Sequence, residues 1–178
     1  MKYSRIFSLG VSAIILTGCF TTNNHVLIPK YEGVQIGTED LTFCLNSECV
    51  TAPYVDGLYS VDNPFGADSQ SVAFTPLTIV NDRQIYIAQL TEKNDDDAAY
   101  HLARQVLNPT AKTGDIEAVI LDCDLSKEQM TEFSVKSGYA PGTCEPADLT
   151  GLKTLILSIH GDDLKSEDWW AKNKQPLE

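Results

Sequence analysis

The sequence predicts an α+β fold: an antiparallel β-meander sheet followed by C-terminal helices, in a single disulfide-braced domain. Three observations carry that expectation. Between Gly57 and Leu121 lie short apolar runs rich in β-branched and aromatic residues, each bounded by Gly, Pro, Asn or Asp. From Ser126 onward the apolar spacing lengthens to a helical period. Beyond Cys19, the chain holds four more cysteines, Cys44, Cys49, Cys123 and Cys144, an even number.

The chain opens on a tripartite leader. Lys2 and Arg5 form a positive region, Leu9 to Leu16 is an apolar run broken only by small residues, and Thr17-Gly18 precede Cys19. That order is the anatomy of a secretory signal peptide. The apolar stretch is well short of the roughly 20 residues a membrane-spanning helix requires, so residues 1–18 are expected to be removed.

Leu16-Thr17-Gly18-Cys19 resembles the lipobox of bacterial lipoproteins. The resemblance covers residues 1–19. It implies that a diacylglyceryl thioether forms on the Cys19 sulfur and that a dedicated peptidase cuts before Cys19. In Gram-negative bacteria the new amino group also takes an acyl chain such as palmitate. Each acyl CH₂ buried in a bilayer contributes about 0.8 kcal/mol, so one chain holds marginally and two or more hold stably. The bilayer, reached through acylated Cys19, is therefore the first expected partner. Thr21-Thr22-Asn23-Asn24 is polar and reads as the start of a tether, with residues 19–30 as lipidated N-terminus and linker and 31–178 as the globular domain. Among Gram-negative lipoproteins an Asp directly after the Cys usually signals retention in the inner membrane. Phe20 stands there instead, which favours the outer membrane, facing the periplasm.

In an exported chain the four remaining cysteines are expected to pair; they allow three connectivities, of which two local pairings stand out. Phe43-Cys44-Leu45-Asn46-Ser47-Glu48-Cys49-Val50 fits a hairpin turning at Asn46-Ser47, with Leu45 opposite Glu48 and Cys44 opposite Cys49. A close antiparallel pair at Cys44 and Cys49 lies at the short end of disulfide geometry. Cys123 and Cys144 bracket an expected helix, and a bridge between them would clip its ends to the sheet. The chain-entropy model assigns about 2 kcal/mol to the small loop and about 3 kcal/mol to the larger. Zinc is a poor alternative, because no C-x-x-C occurs and none of His25, His101 and His160 lies four residues from another.

The strands are expected at Gly57–Val61, Ser71–Thr75, Gln84–Leu90 and Ile116–Leu121. Residues 98–107 read two ways. Acids at 95–97, apolar residues at 99, 102, 103, 106 and 107, and Asn108-Pro109 as a stop are helical signs. The alternation of Tyr100, Leu102, Arg104 and Val106 between two strands fits a further meander strand equally.

Toward the C-terminus, Ser126-x-x-Gln129 is a capping box and Gly138 is placed to end the helix that follows. Pro146 suits a first helical turn, and Leu149, Leu152, Leu155, Ile156 and Ile159 form one apolar face until Gly161. Of Trp169 and Trp170, adjacent on a helix, one is expected to dock on the core while the other points outward.

Charge and motifs bound the function. Losing Lys2 and Arg5 with the leader takes the formal charge from −12 to −14 over 160 of the 178 residues. Such a surface repels nucleic acid and anionic lipid, permits a cationic protein partner, and above all keeps the protein soluble. The run Asn94-Asp95-Asp96-Asp97 lacks the Gly and Glu of an EF-hand loop and reads as a solvated turn or helix start. G-x-S-x-G, H-E-x-x-H, G-x-x-x-x-G-K-[ST] and G-x-G-x-x-G are all missing, so no catalytic, cofactor or metal residue is nominated and the balance leans away from an enzyme. A binding or structural envelope lipoprotein is the expectation. The alternatives are an inhibitor of a periplasmic or host hydrolase, since small acidic β-rich lipoproteins resemble lysozyme inhibitors in style, and a cell-envelope hydrolase.

Overall fold

The computed structural model describes residues 20–37, 40–45, 48–61, 70–92, 96–105 and 116–173. Its fold is α+β: a large antiparallel sheet, three C-terminal helices and a Cys123–Cys144 disulfide. The strands in chain order are β1 (Phe20–Thr22), β2 (Leu41–Leu45), β3 (Glu48–Ala52), β4 (Tyr54–Val55), β5 (Leu58–Val61), β6 (Gln70–Val80), β7 (Arg83–Glu92), β8 (Ala98–Gln105) and β9 (Ile116–Ile120). After α1 (Lys127–Glu132) come β10 (Val135–Ser137) and β11 (Cys144–Pro146). The chain closes with α2 (Leu149–His160), a 3₁₀ turn (Asp163–Lys165) and α3 (Glu167–Asn173).

From β4 to β9 the chain is an antiparallel meander. Its turns explain the register. Asp56-Gly57 joins β4 to β5 and Asn81-Asp82 joins β6 to β7, each with both central residues at positive φ, the type I′ geometry whose twist suits paired strands. A side chain at Gly57 would press its Cβ into the Tyr31 backbone at 2.8 Å, so glycine is required there twice over. Pro76 falls where β6 has run past β5 and is an edge, with the register shift of a bulge beside it.

The complete sheet runs β10-β11-β1-β8-β7-β6-β5-β4, with β9 also paired to β8. Period-two alternation builds a core on each face. Ile85, Ile87, Tyr100 and Leu102 point toward the helices, where they meet Leu152, Leu155, Ile156 and Trp170. Tyr86, Ala88 and Ala103 point the other way, toward Ile36, Leu41 and Ala52, so that segment 33–37 and the β2–β3 hairpin cover the second face.

This two-sided burial settles residues 98–105, while 106 and 107 lie outside the described residues. Ala98–Gln105 is a strand, buried on both faces at Ala98, Ala99, Tyr100, Leu102, Ala103 and Arg104. A strand covered on both sides loses the polar alternation that distinguishes it from a buried helix.

Three local expectations need correction. Residues 20–30 are not a free tether. Phe20–Thr22 is a strand between β8 and β11, and Phe20 is buried. Farther on, Gln89 accepts from the Ile28 N–H at 2.7 Å and donates to its carbonyl at 3.0 Å, while Tyr100 Oη accepts from the Leu27 N–H at 2.9 Å. The polar look of Thr21–Asn24 misled because Thr22 is buried against the Tyr100 hydroxyl at 3.0 Å. Gly138 does not end α1, which stops at Glu132 with Phe133 as its cap and Ser134 at φ 54; Gly138 instead opens the β10–β11 loop. Pro146 ends β11, and Asp148 caps α2 by accepting from the Gly151 N–H at 2.7 Å.

Candidate functional site

The features with chemistry of their own gather where β1 enters the sheet. Phe20 follows Cys19 across one peptide bond, so their Cα atoms are about 3.8 Å apart. β1 runs parallel to β11 with Phe20 level with Cys144, and β10 returns antiparallel with Ser137 opposite Cys144. The β10–β11 loop, Gly138–Thr143, therefore projects in the direction from which β1 arrives. Cys144 is fully buried and is joined to Cys123 with a Cα separation of 5.8 Å, within ordinary disulfide geometry. The bridge holds the exit of β9 against the start of β11.

The loop is rigidly built. The Gly138 N–H donates to the Thr143 carbonyl at 2.8 Å, and the Thr143 N–H donates to the Ala140 carbonyl at 3.1 Å. Thr143 Oγ1 donates to the same carbonyl at 2.7 Å. Ala140-Pro141-Gly142-Thr143 thus forms a type II turn, with Pro at its second position and Gly142 at φ 80 in its third. Tyr139, immediately before it, is 92% exposed, the most exposed of the large apolar side chains described. A cleft of about 450 Å³ separates the loop from α1, lined by Cys123, Leu125, Met130, Tyr139, Pro141 and Thr143 among others.

No protein-family model matches this chain, and no curated protein or solved structure matches it significantly.

Cys19 lies outside the described residues. Cys44 and Cys49 stand opposite one another in the β2–β3 register, with Leu45 opposite Glu48; their side chains are outside the described ones. Part of the Asn94–Asp97 run is also outside them, but Asp97 accepts from the Asn24 N–H at 2.7 Å and so fastens the β1 end to the start of β8. Among the described residues no three His, Cys, Asp or Glu side chains are placed to hold a metal ion.

Two buried polar groups escaped the sequence reading. Arg104 on β8 forms a bidentate pair with Glu167 of α3 at 3.0 and 2.8 Å and reaches Glu117 of β9 at 2.8 Å, while its guanidinium lies 4.4 Å from the Trp170 ring centroid. Arg83 adds a 3.2 Å contact to Glu167. The Arg104 hydrogen bonds hold the Glu167 carboxyl below its ordinary pKa. Every partner here is satisfied, and the cluster clamps the last helix to the sheet. Trp170 is fully buried and donates from Nε1 to the Leu164 carbonyl at 3.1 Å, while Trp169 stays partly exposed. The second group is His101, whose Nε2 is buried without a hydrogen-bond partner and whose pKa is pushed down to about 4 by burial. The Pro141-Gly142 dipeptide was the one available signal for the turn; nothing in the local pattern marked Arg104 or His101 as inward-facing.

Proposed function

We propose that this chain is a bacterial envelope lipoprotein, anchored to a membrane through acylated Cys19, that presents a disulfide-braced α+β domain as a binding or structural module. The observation that carries the reading is the ordered leader ending in Leu16-Thr17-Gly18-Cys19. It is supported by the position of Phe20, which enters the sheet directly after the proposed cleavage point. The Cys123–Cys144 bridge supports an oxidising compartment. The outer membrane, facing the periplasm, is the proposed location, on the basis of Phe20 rather than Asp after the Cys. A partner for the module would be cationic or neutral, given the acidic surface.

The test is metabolic labelling with an alkyne analogue of palmitate in a Gram-negative host, comparing the native chain with Cys19→Ala. The reading predicts label on the native chain and in the membrane pellet, and neither for the variant. Equal fractionation of the two would overturn it. Turnover of peptidoglycan by the purified domain would replace the binding role with the hydrolase alternative, and salt-sensitive slowing of lysozyme would specify it as inhibition.

A further inference from the structure

We propose that the lipid-anchored domain has no slack tether, and that the β10–β11 loop Gly138–Thr143, with Tyr139 foremost, rests on the zwitterionic headgroups of the membrane that holds Cys19. The proposal depends on the anchoring reading above and adds to it an orientation and a contact surface.

A lipid on Cys19 is attached one residue before Phe20, and Phe20 is buried and paired with both Tyr100 and Cys144. Strands lie about 4.8 Å apart and rise about 3.3 Å per residue, which places the Cα of Phe20, the residue bonded to Cys19, within about 10 Å of the loop beside it. The acyl chains must enter the bilayer from that point. A membrane surface close enough to receive them is close enough to meet Tyr139.

The loop has the composition of a headgroup contact. Ser137 to Cys144, read Ser-Gly-Tyr-Ala-Pro-Gly-Thr-Cys, carries no charged side chain in a protein of formal charge −12. A tyrosine with an apolar ring and a polar tip suits the boundary between headgroups and chains. The type II turn fixes the loop before contact, so little conformational freedom is lost on docking. The acidic balance of the whole chain and exposed Asp124 beside Cys123 outweigh the single cation Lys136 next to the loop, which opposes anionic lipid and selects zwitterionic headgroups.

Quenching by brominated phosphatidylethanolamine reads the contact in full-length lipidated protein reconstituted in vesicles. Tyr139→Trp adds a third tryptophan to Trp169 and Trp170, and up to roughly a third of the emission should be lost beyond that lost by the native chain. Val55→Trp, exposed on the far edge strand β4, should add no such loss. Replacing the unbrominated lipid by phosphatidylglycerol, with the brominated fraction held constant, should reduce the Tyr139→Trp quenching. Inserting ten Gly/Ser residues between Cys19 and Phe20 should reduce it too, because such a linker spans roughly 18 Å. Equal quenching at positions 139 and 55, or quenching indifferent to the inserted linker, would overturn the proposal while intact-mass proof of acylation left the anchoring reading standing. An unacylated Cys19 in that mass measurement would remove both.

Discussion

Arg104 shows how much a single side chain can organise in this fold. Its guanidinium is only 6% exposed and neutralises Glu117 and Glu167 while covering Trp170. Truncation to alanine removes this cation from the partly buried Glu117 and opens space against the indole. Breaking a buried ion pair from one side costs about 3–5 kcal/mol, but Glu167 is 57% exposed and can turn to water, so Arg104→Ala should destabilise by roughly 2–3 kcal/mol in a urea titration. Glu167→Gln should cost well under half of that. His101 supplies a pH signature. Its folded pKa lies near 4 and its unfolded value near 6.5, so the unfolded chain binds the extra proton between them. Stability is therefore full above pH 6.5 and falls as pH drops toward 4, by roughly 3 kcal/mol at most. The depressed Glu167 carboxyl adds a slope of the same sign only below about pH 4.5. Urea midpoints between pH 6.5 and 5 isolate the histidine, and His101→Leu should flatten them. Neither residue was legible in the sequence, because a lone Arg or His on a strand gives no sign of which face will be covered.

At the scale of elements, legibility followed the strength of the local signal. The Ser126–Gln129 capping box forms as expected, with Gln129 N–H donating to Ser126 Oγ at 3.2 Å and Ser126 N–H to Gln129 Oε1 at 2.9 Å. The Leu149–Ile159 stripe is a helix that buries Leu152, Leu155 and Ile156. The four β-rich runs are strands, since their turns and branched residues agree. Elements defined by distant partners were harder. β1, β10 and β11 are three residues each and exist because they hydrogen-bond one another across the chain. A three-residue strand has no period to read. The Cys123–Cys144 bridge ties the start of β11 to the chain leaving β9, and its removal by paired Ser substitution should cost about 3 kcal/mol in the chain-entropy model. Calorimetry under non-reducing conditions checks this: a lowered melting temperature in the double variant is expected, and an unchanged one would show that β11 holds without the bridge.

For the molecule as a whole, sequence and structure speak to different halves of the account. The leader names a destination but nothing of the fold, whereas the sheet shows where the chain after Cys19 is seated. Together they turn the start of an expected short tether into the strand Phe20–Thr22, which under the proposed anchoring would hold the domain close to its membrane. With a formal charge of −12, or −14 under the proposed cleavage, the acidic balance favours solubility and opposes anionic surfaces. The loop Gly138–Thr143 carries no charge. Of the candidate site, Cys123 and Cys144 stood out in the sequence and are bridged, Cys19 lies outside the described residues, and the turn that carries Tyr139 acquired meaning only once β1 was seen to pair with β11. Intact-mass analysis of the protein purified from a Gram-negative membrane tests the central claim most directly. The account predicts a chain beginning at Cys19 and carrying a diacylglyceryl group and an amide-linked acyl chain. A free Cys19 thiol, or residues 1–18 still attached, would contradict it.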